Sequence, residues 1–188
     1  MNIYRQLAEF TVIETSRLLL RPHRFKDACD MFEYSGNPQN LKYIFLAHLS
    51  LEETEFSIAN NFMRNPLGKW AIELKGEEKM IGTIHFIKIS EKTASAEIGY
   101  VLNKAYWKMG LMTEALSVLT EFAFEQFGLK KLELMIDKEN IASQKLALRV
   151  GYQGVSSFKA ANQYTGIIRN FEKYELNKSE FYRQLTNL

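Results

Sequence analysis

Apolar positions along the chain switch between a period of two and a period near 3.6, which predicts strands interleaved with helices. Leucines dominate residues 17–21, a first strand that Pro22 ends. From 25 to 34, apolar residues at 25, 28, 29, 31 and 32 mark a helical face that stops near Gly36-Asn37-Pro38. Ser50-Leu51-Glu52-Glu53 has the form of a capping box and opens a helix that runs to about Met63. The apolar stretch 43–48 falls in the connection between the two helices, where it either lines a cleft or packs under a loop.

Three strand-like runs follow at 70–75, 79–89 and 93–102, split by Gly76-Glu77-Glu78 and Ser90-Glu91-Lys92. Connections this short predict an antiparallel meander. Met112, Ala115, Leu116, Leu119, Phe122 and Ala123 then share one face of a long helix from Leu111 to about Phe127, which Gly128 closes. A strand at 131–136, a helix at 141–149 and strands near 152–158 and 167–176 complete a mixed α/β pattern, with a short helix expected after Ser179.

Composition narrows the class. With 188 residues, 46% hydrophobic, the chain can bury one sizeable core, and three prolines with no low-complexity stretch leave no visible linker, so residues 1–188 are expected to form a single domain. A net charge of +2, with both signs interspersed, gives no field that implies nucleic acid as a partner. The lone Cys29 precludes an internal disulfide and reads as a small core residue, while His23, His48 and His85 are too scattered for a metal cluster. No apolar leader and no membrane-spanning run is visible, so a soluble cytoplasmic protein is expected.

The most informative chemistry lies where a strand, Ala96-Glu97-Ile98-Gly99-Tyr100-Val101-Leu102, passes through Trp107-Lys108-Met109-Gly110-Leu111-Met112-Thr113-Glu114-Ala115 into the long helix. Amides of a glycine turn and a first helical turn lack intrahelical acceptors, and the helix dipole is positive there. A diphosphate suits that position, which points to a nucleotide-bearing cofactor.

The ordered set of Glu14-Thr15-Ser16-Arg17-Leu18-Leu19-Leu20-Arg21-Pro22, Ala96 to Tyr100, Tyr106-Trp107 to Ala115, Asn140-Ile141-Ala142-Ser143 and Gly151-Tyr152 resembles the GNAT acetyltransferase superfamily. Within it, the set is similar to the Rim-type branch of ribosomal-protein N-terminal acetyltransferases. The resemblance implies a central, mostly antiparallel sheet of about seven strands flanked by helices, splayed beside the strand of Glu97 and filled there by the pantetheine arm of acetyl-CoA. It also implies an amine acceptor, in a monomer or homodimer. Coenzyme A contacts are then expected from the backbones of Val101 and Asn103, from the amides of Lys108, Met109, Gly110, Leu111, Met112 and Thr113, and from the Asn140 side chain. Asn140 is equally a good helix N-cap. Met112 stands where relatives carry a small residue, and so either leaves a main-chain site intact or narrows the turn.

Glu97 is the candidate base, its alternative being a strand-surface carboxylate in an ion pair. Alternation sets it with Gly99 and Val101, opposite Ile98, Tyr100 and Leu102. Many relatives carry a tyrosine acid seven residues after the asparagine; here that position is Ala147, and the resemblance offers Ser143 instead, unless that hydroxyl only contacts backbone. Lys145 and Arg149 read as a solvated face or as contacts to the cofactor's ribose phosphate. The expected reaction is direct acetyl transfer to a primary amine, first a peptide or protein α-amine. The alternatives are a small amine such as a polyamine, an aminoglycoside-like compound or an amino acid, and a noncatalytic acyl-CoA-binding module. Residues 156–165 contain no acidic group, which weakens a basic ribosomal tail as acceptor.

Overall fold

A computed structural model describes residues 2–162 and 165–186. Helix α1 (Ile3–Glu9) precedes β1 (Ile13–Glu14), β2 (Leu18–Arg21), α2 (Ala28–Ser35) and α3 (Leu51–Ser57), which continues as a π-helical turn over Ile58–Met63. The meander β3 (Lys69–Leu74), β4 (Lys79–Ser90) and β5 (Ser95–Leu102) leads through a short 3₁₀ turn, Lys104–Tyr106, to α4 (Leu111–Glu125). After it come β6 (Lys131–Asp137), α5 (Ile141–Val150), β7 (Gln153–Ala161), β8 (Ile168–Asn177) and α6 (Lys178–Thr186).

The strands form one sheet of eight, ordered β1-β2-β3-β4-β5-β6-β8-β7, and every pairing is antiparallel except β5 with β6. The mixed α/β expectation and the meander therefore hold, with one strand more than the seven expected. The addition is the two-residue β1, too short to show a period. Helix α1 was also invisible to periodicity, because only Ile3 and Leu7 of its seven residues are buried.

Two apolar layers cover the sheet. The larger core, with Ile98, Leu102, Leu116, Phe124 and Leu132, lies under α4 and α5; the smaller, with Ala28, Met31, Ile58, Ala71 and Val101, lies under α2 and the π-helical turn. Cys29 corrects the sequence reading, since it is exposed. The buried positions of α2 are Ala28, Met31, Tyr34 and Ser35, spaced by three, three and one, which rotates Cys29 outward.

The pairing of β5 with β6 sets up the site. It covers only Ser95↔Lys131, Ala96↔Leu132 and Glu97↔Glu133, after which the strands part. Five residues of β5, from Ile98 onward, thus have no β6 partner, and the expected splay opens beside Glu97.

Candidate active site

The glycine turn has the backbone its sequence implied. Gly110, at φ +75°, caps α4 in the left-handed region, and Lys108 also has a positive φ of +65°. Among the described residues no side chain caps the amides of Leu111, Met112 and Thr113, so the first turn of α4 keeps its donors for another acceptor. Met112 is buried in the main core, which takes its long side chain out of the turn.

Residues 15–17 brace this turn from 97 positions away. The carboxylate of Glu114 accepts from the hydroxyls of Thr15 (2.6 Å) and Ser16 (3.1 Å), from the Arg17 amide (3.0 Å) and from Arg17 Nε (2.6 Å), while Arg17 Nη1 donates to the Met109 carbonyl at 2.9 Å. Partial burial works to raise the Glu114 carboxyl, but the bonds from Thr15, Arg17 and Ser16 outweigh it and hold the group at about 2.

A cleft of about 1880 Å³ runs through the splay. Glu97, Val101, Lys108, Gly110, Leu111, Met112, Thr113, Asn140 and Ser143 all line it; Met109 and Asn103 do not. Asn103 is buried, its amide donating to the Ile81 carbonyl (2.7 Å) and its carbonyl accepting from Tyr106 (2.9 Å). Its side chain accepts from the Ala105 amide and donates to Glu33. Asn103 is therefore committed within the protein: its amide is spent on β4, and its carbonyl and side chain already hold partners in the protein.

The same register corrects Val101. Peptide groups alternate in direction along a strand, so Val101, paired with Thr83 and two residues before Asn103, turns its main chain toward β4. The groups turned to the open edge belong to Ile98, Tyr100 and Leu102, and the Leu102 carbonyl is already taken by Asn40 Nδ2 (3.1 Å) and Trp107 Nε1 (2.9 Å). The Ile98 amide is spent on the Glu133 carbonyl in the last rung of the β5–β6 ladder, which leaves the Ile98 carbonyl and both main-chain groups of Tyr100 to pair with an extended ligand. Sequence parity alone could not assign the edges, because it says nothing about which neighbour lies on which side.

The Asn140 side chain accepts from the Ser143 amide at 3.2 Å, and so serves as the N-cap of α5. The hydroxyls of Ser143 and Tyr100 meet at 2.6 Å. Burial pushes the Tyr100 phenol up to about 12, against a smaller opposing effect of the Ser143 bond. Tyr100 is a functional candidate that the sequence reading passed over, since its partner lies 43 residues away. Ala147 is fully buried and outside the cleft, so that position offers no acid here.

Glu97 is half-buried on the opposite face. Burial raises its carboxyl, the neighbouring Glu133 raises it further, and Lys88 and Lys173 offset part of this. The ion pair that a strand-surface role would need is not there among the described residues. Lys131 and Lys173 bond Glu133 instead, at 2.5 and 3.0 Å.

Residues 17–153 match the family profile of the Acetyltransferase (GNAT) domain. The chain belongs to the GNAT acetyltransferase family. It is 30% identical over 148 residues to the uncharacterised N-acetyltransferase YoaA of Bacillus subtilis, covering 77% of this chain and 84% of that protein. The ribosomal-protein-serine acetyltransferase of Escherichia coli is 30% identical, covering 55% of this chain and 58% of that one. The spermidine N(1)-acetyltransferase of the same organism is 28% identical over 54% and 55%. A GNAT-family acetyltransferase structure from Bacillus anthracis superimposes with a TM-score of 0.80 at 25% identity, over 89% of this chain and 99% of that one.

Acetyl-CoA is the acetyl donor of GNAT enzymes, and the residues present fit it. Uncapped amides at Gly110 to Thr113 suit its diphosphate, the free edge at Ile98 and Tyr100 suits an extended amide-bearing arm, and Lys145 and Arg149 line the same end of the cleft. Arg149 Nη1 also reaches Thr113 Oγ1 at 3.3 Å, which links α5 to the turn. The apolar connection expected at 43–48 does both things left open for it: Ile44 and Phe45 pack against the smaller core, and Tyr43, Ile44, Phe45, Leu46 and His48 line the cleft. Among the described residues, no helix is long and apolar enough to cross a membrane.

Proposed function

We propose that this GNAT enzyme acetylates an α-amino group, that of a peptide or a protein, by direct transfer within a ternary complex. One observation carries the reading: the Glu97 carboxylate stands beside the splay without an ionic partner among the described residues, on the face opposite the Tyr100–Ser143 pair. A base on the acceptor side and a hydrogen-bond donor on the other are what amine acylation needs.

Bound acetyl-CoA supplies the activated acetyl group. Glu97 accepts the proton of the incoming ammonium, directly or through water, and its raised proton affinity suits that role. Tyr100 keeps its proton at neutral pH and orients the Ser143 hydroxyl, which would hydrogen-bond the sulfur as the thiolate leaves, while the proton shed by the amine passes to Glu97. Ile98 and Tyr100 main-chain groups and the α4 amides hold the cofactor in register.

The α-amine is favoured by magnitude. At pH 7 the α-amine of a peptide or protein, near 7.8, needs only about 1.1 kcal/mol to lose its proton, whereas a lysine-like amine near 10.4 needs about 4.6 kcal/mol. One half-buried carboxylate is matched to the smaller demand. Titrating acetyl-CoA calorimetrically and then following thiol release across peptides, amino acids, spermidine and aminoglycosides tests the reading. Release with peptide α-amines supports it, release confined to amino acids, spermidine or aminoglycosides sinks it, and binding without release to any amine favours a noncatalytic module.

A further inference from the structure

Lys69 stands on the cleft wall with no carboxylate within ion-pair distance among the described residues. Its Nζ donates only to the Asn61 carbonyl, at 2.6 Å, a group presented by the π-helical turn Ile58–Met63. Interruptions of this kind in helices recur at functional sites. The other charges around the acceptor connection are neutralised: Lys42 lies 3.9 Å from Glu139, and Arg169 holds both Asp137 and Glu139. Glu53, also on the cleft wall, accepts from the Leu49 amide at 2.7 Å.

Register puts Lys69 on the face of the base. Lys69 pairs with His85 and His85 with Gly99, so the three form one cross-strand row, and Gly99 shares its face with Glu97 two residues away. Glycine at 99 keeps the floor between them low: a Cβ there would come within 2.7 Å of Ile87 and 3.4 Å of His85. Two strand spacings across and two residues along give roughly 12 Å between the α-carbons of Lys69 and Glu97, both of which line the cleft. His85 adds no compensating charge, because burial, followed by Lys69 itself, holds it neutral down to about 4.

We propose that Lys69 is an anion-recognising residue of the acceptor pocket and that the acceptor is an α-amine carrying a carboxylate a few bonds from its nitrogen. This rests on the α-amine reading above and narrows it. The amine goes to Glu97 and the carboxylate to Lys69, as a peptide with an acidic first residue would arrange them. A polyamine, with a second cation where Lys69 stands, is disfavoured by like charge. Part-burial lowers the proton affinity of Lys69, as expected of an ammonium awaiting its counter-ion.

The test compares kcat/KM for free glutamate, for peptides beginning with Glu, for matched peptides beginning with Ser or Gln, and for spermidine. Wild type should prefer the acidic acceptors by about tenfold or more, corresponding to about 1.4 kcal/mol. Free glutamate, whose amine is more basic than a peptide's, should be the slower of the acidic acceptors. In Lys69→Met the ratio of acidic to neutral acceptor should fall to about one, through KM, and Lys69→Arg should restore it. A wild-type preference for spermidine, or a Lys69→Met loss shared equally by all acceptors, would overturn the proposal. Calorimetric binding of N-acetylglutamate, to wild type and to Lys69→Met, reads the anion site without turnover. If no amine is acetylated the α-amine reading fails, and the titration alone then decides: weakening by about tenfold sustains the anion site, and equal or absent binding rejects it.

Discussion

Tyr100 and Ser143 join their hydroxyls at 2.6 Å, tying the unpaired end of β5 to the first turn of α5 across the mouth of the splay. Because the phenol is pushed up to about 12, it holds its proton at neutral pH and fixes the Ser143 hydroxyl as a hydrogen-bond donor for the departing sulfur. Ser143→Ala is expected to lower kcat by about 10²-fold, the lower end of acid–base effects, while changing acetyl-CoA affinity little. Tyr100→Phe should lose less, and the double variant should be no slower than Ser143→Ala, since residues acting as a unit are not additive. Single-turnover thiol release on the four proteins checks this; fully additive losses would separate the two hydroxyls.

Glu97 makes the matching prediction on the acceptor face. Its carboxyl is raised by burial and then by Glu133, so the folded protein favours the protonated form. The sign follows: this group's contribution to stability is present at low pH and is lost as pH rises through its folded value, leaving an unfavourable charge at neutrality. Glu97→Gln should therefore raise Tm slightly at pH 7 while cutting kcat by about 10²-fold or more, with cofactor affinity unchanged. The acid limb of the rate profile, set above the ordinary carboxylate range, should disappear with it. Calorimetry and pH–rate profiles together distinguish a base from a mere surface carboxylate, whose removal would alter neither.

Glu114 has the opposite sign. Its folded value of about 2 lies below the unfolded carboxylate, so its stabilisation is present above about 4.5 and is lost as pH falls toward 2. Glu114→Ala strands Thr15, Ser16 and Arg17 and frees the strap that holds the Met109 carbonyl. The expected cost is about 2 kcal/mol at pH 7, shrinking over that acid window, together with weaker acetyl-CoA binding. Denaturant melts at pH 7 and pH 3 measure the first effect; a loss of equal size at both would show that the clasp is packing and not charge.

Much of this was legible in the chain because it is local. The β3–β4–β5 meander, α4 and the glycine turn each depend on spacing within about a dozen residues, and their boundaries fall within two residues of the periodic pattern. What failed needed partners far away in sequence. The direction of the Val101 and Asn103 peptides follows from which strand lies on which side of β5, the Tyr100–Ser143 bond from the meeting of a strand with a helix, and the Glu114 clasp from a contact 97 positions long. Thr15-Ser16-Arg17 and Glu114 were conspicuous as separate motifs, but only the fold reveals that they are one. Cys29 failed differently: α2 buries Tyr34 and Ser35, so its true face was offset from the one that hydrophobicity marked.

Gly110 offers a test in which backbone conformation alone changes. A Cβ there would meet only Arg17 Nη2, at an ordinary 3.5 Å, so Gly110→Ala costs the left-handed φ of +75° and little else, about 1–2 kcal/mol. The turn can relieve that strain only by rotating the peptides whose amides open α4, and binding should suffer with it. Gly151, at φ +98°, is the control: its added Cβ would fall 2.0 Å from Gln184 Oε1, at the far end of α5. Gly151→Ala should likewise lower Tm through its own left-handed φ, the Gln184 side chain swinging aside at little cost, yet weaken acetyl-CoA less than Gly110→Ala. Gly110→Ala should raise the acetyl-CoA Kd by about tenfold, the equivalent of its strain. If instead both variants weaken binding in proportion to their loss of Tm, the turn is only scaffold, and the uncapped amides of α4 are not what holds the diphosphate.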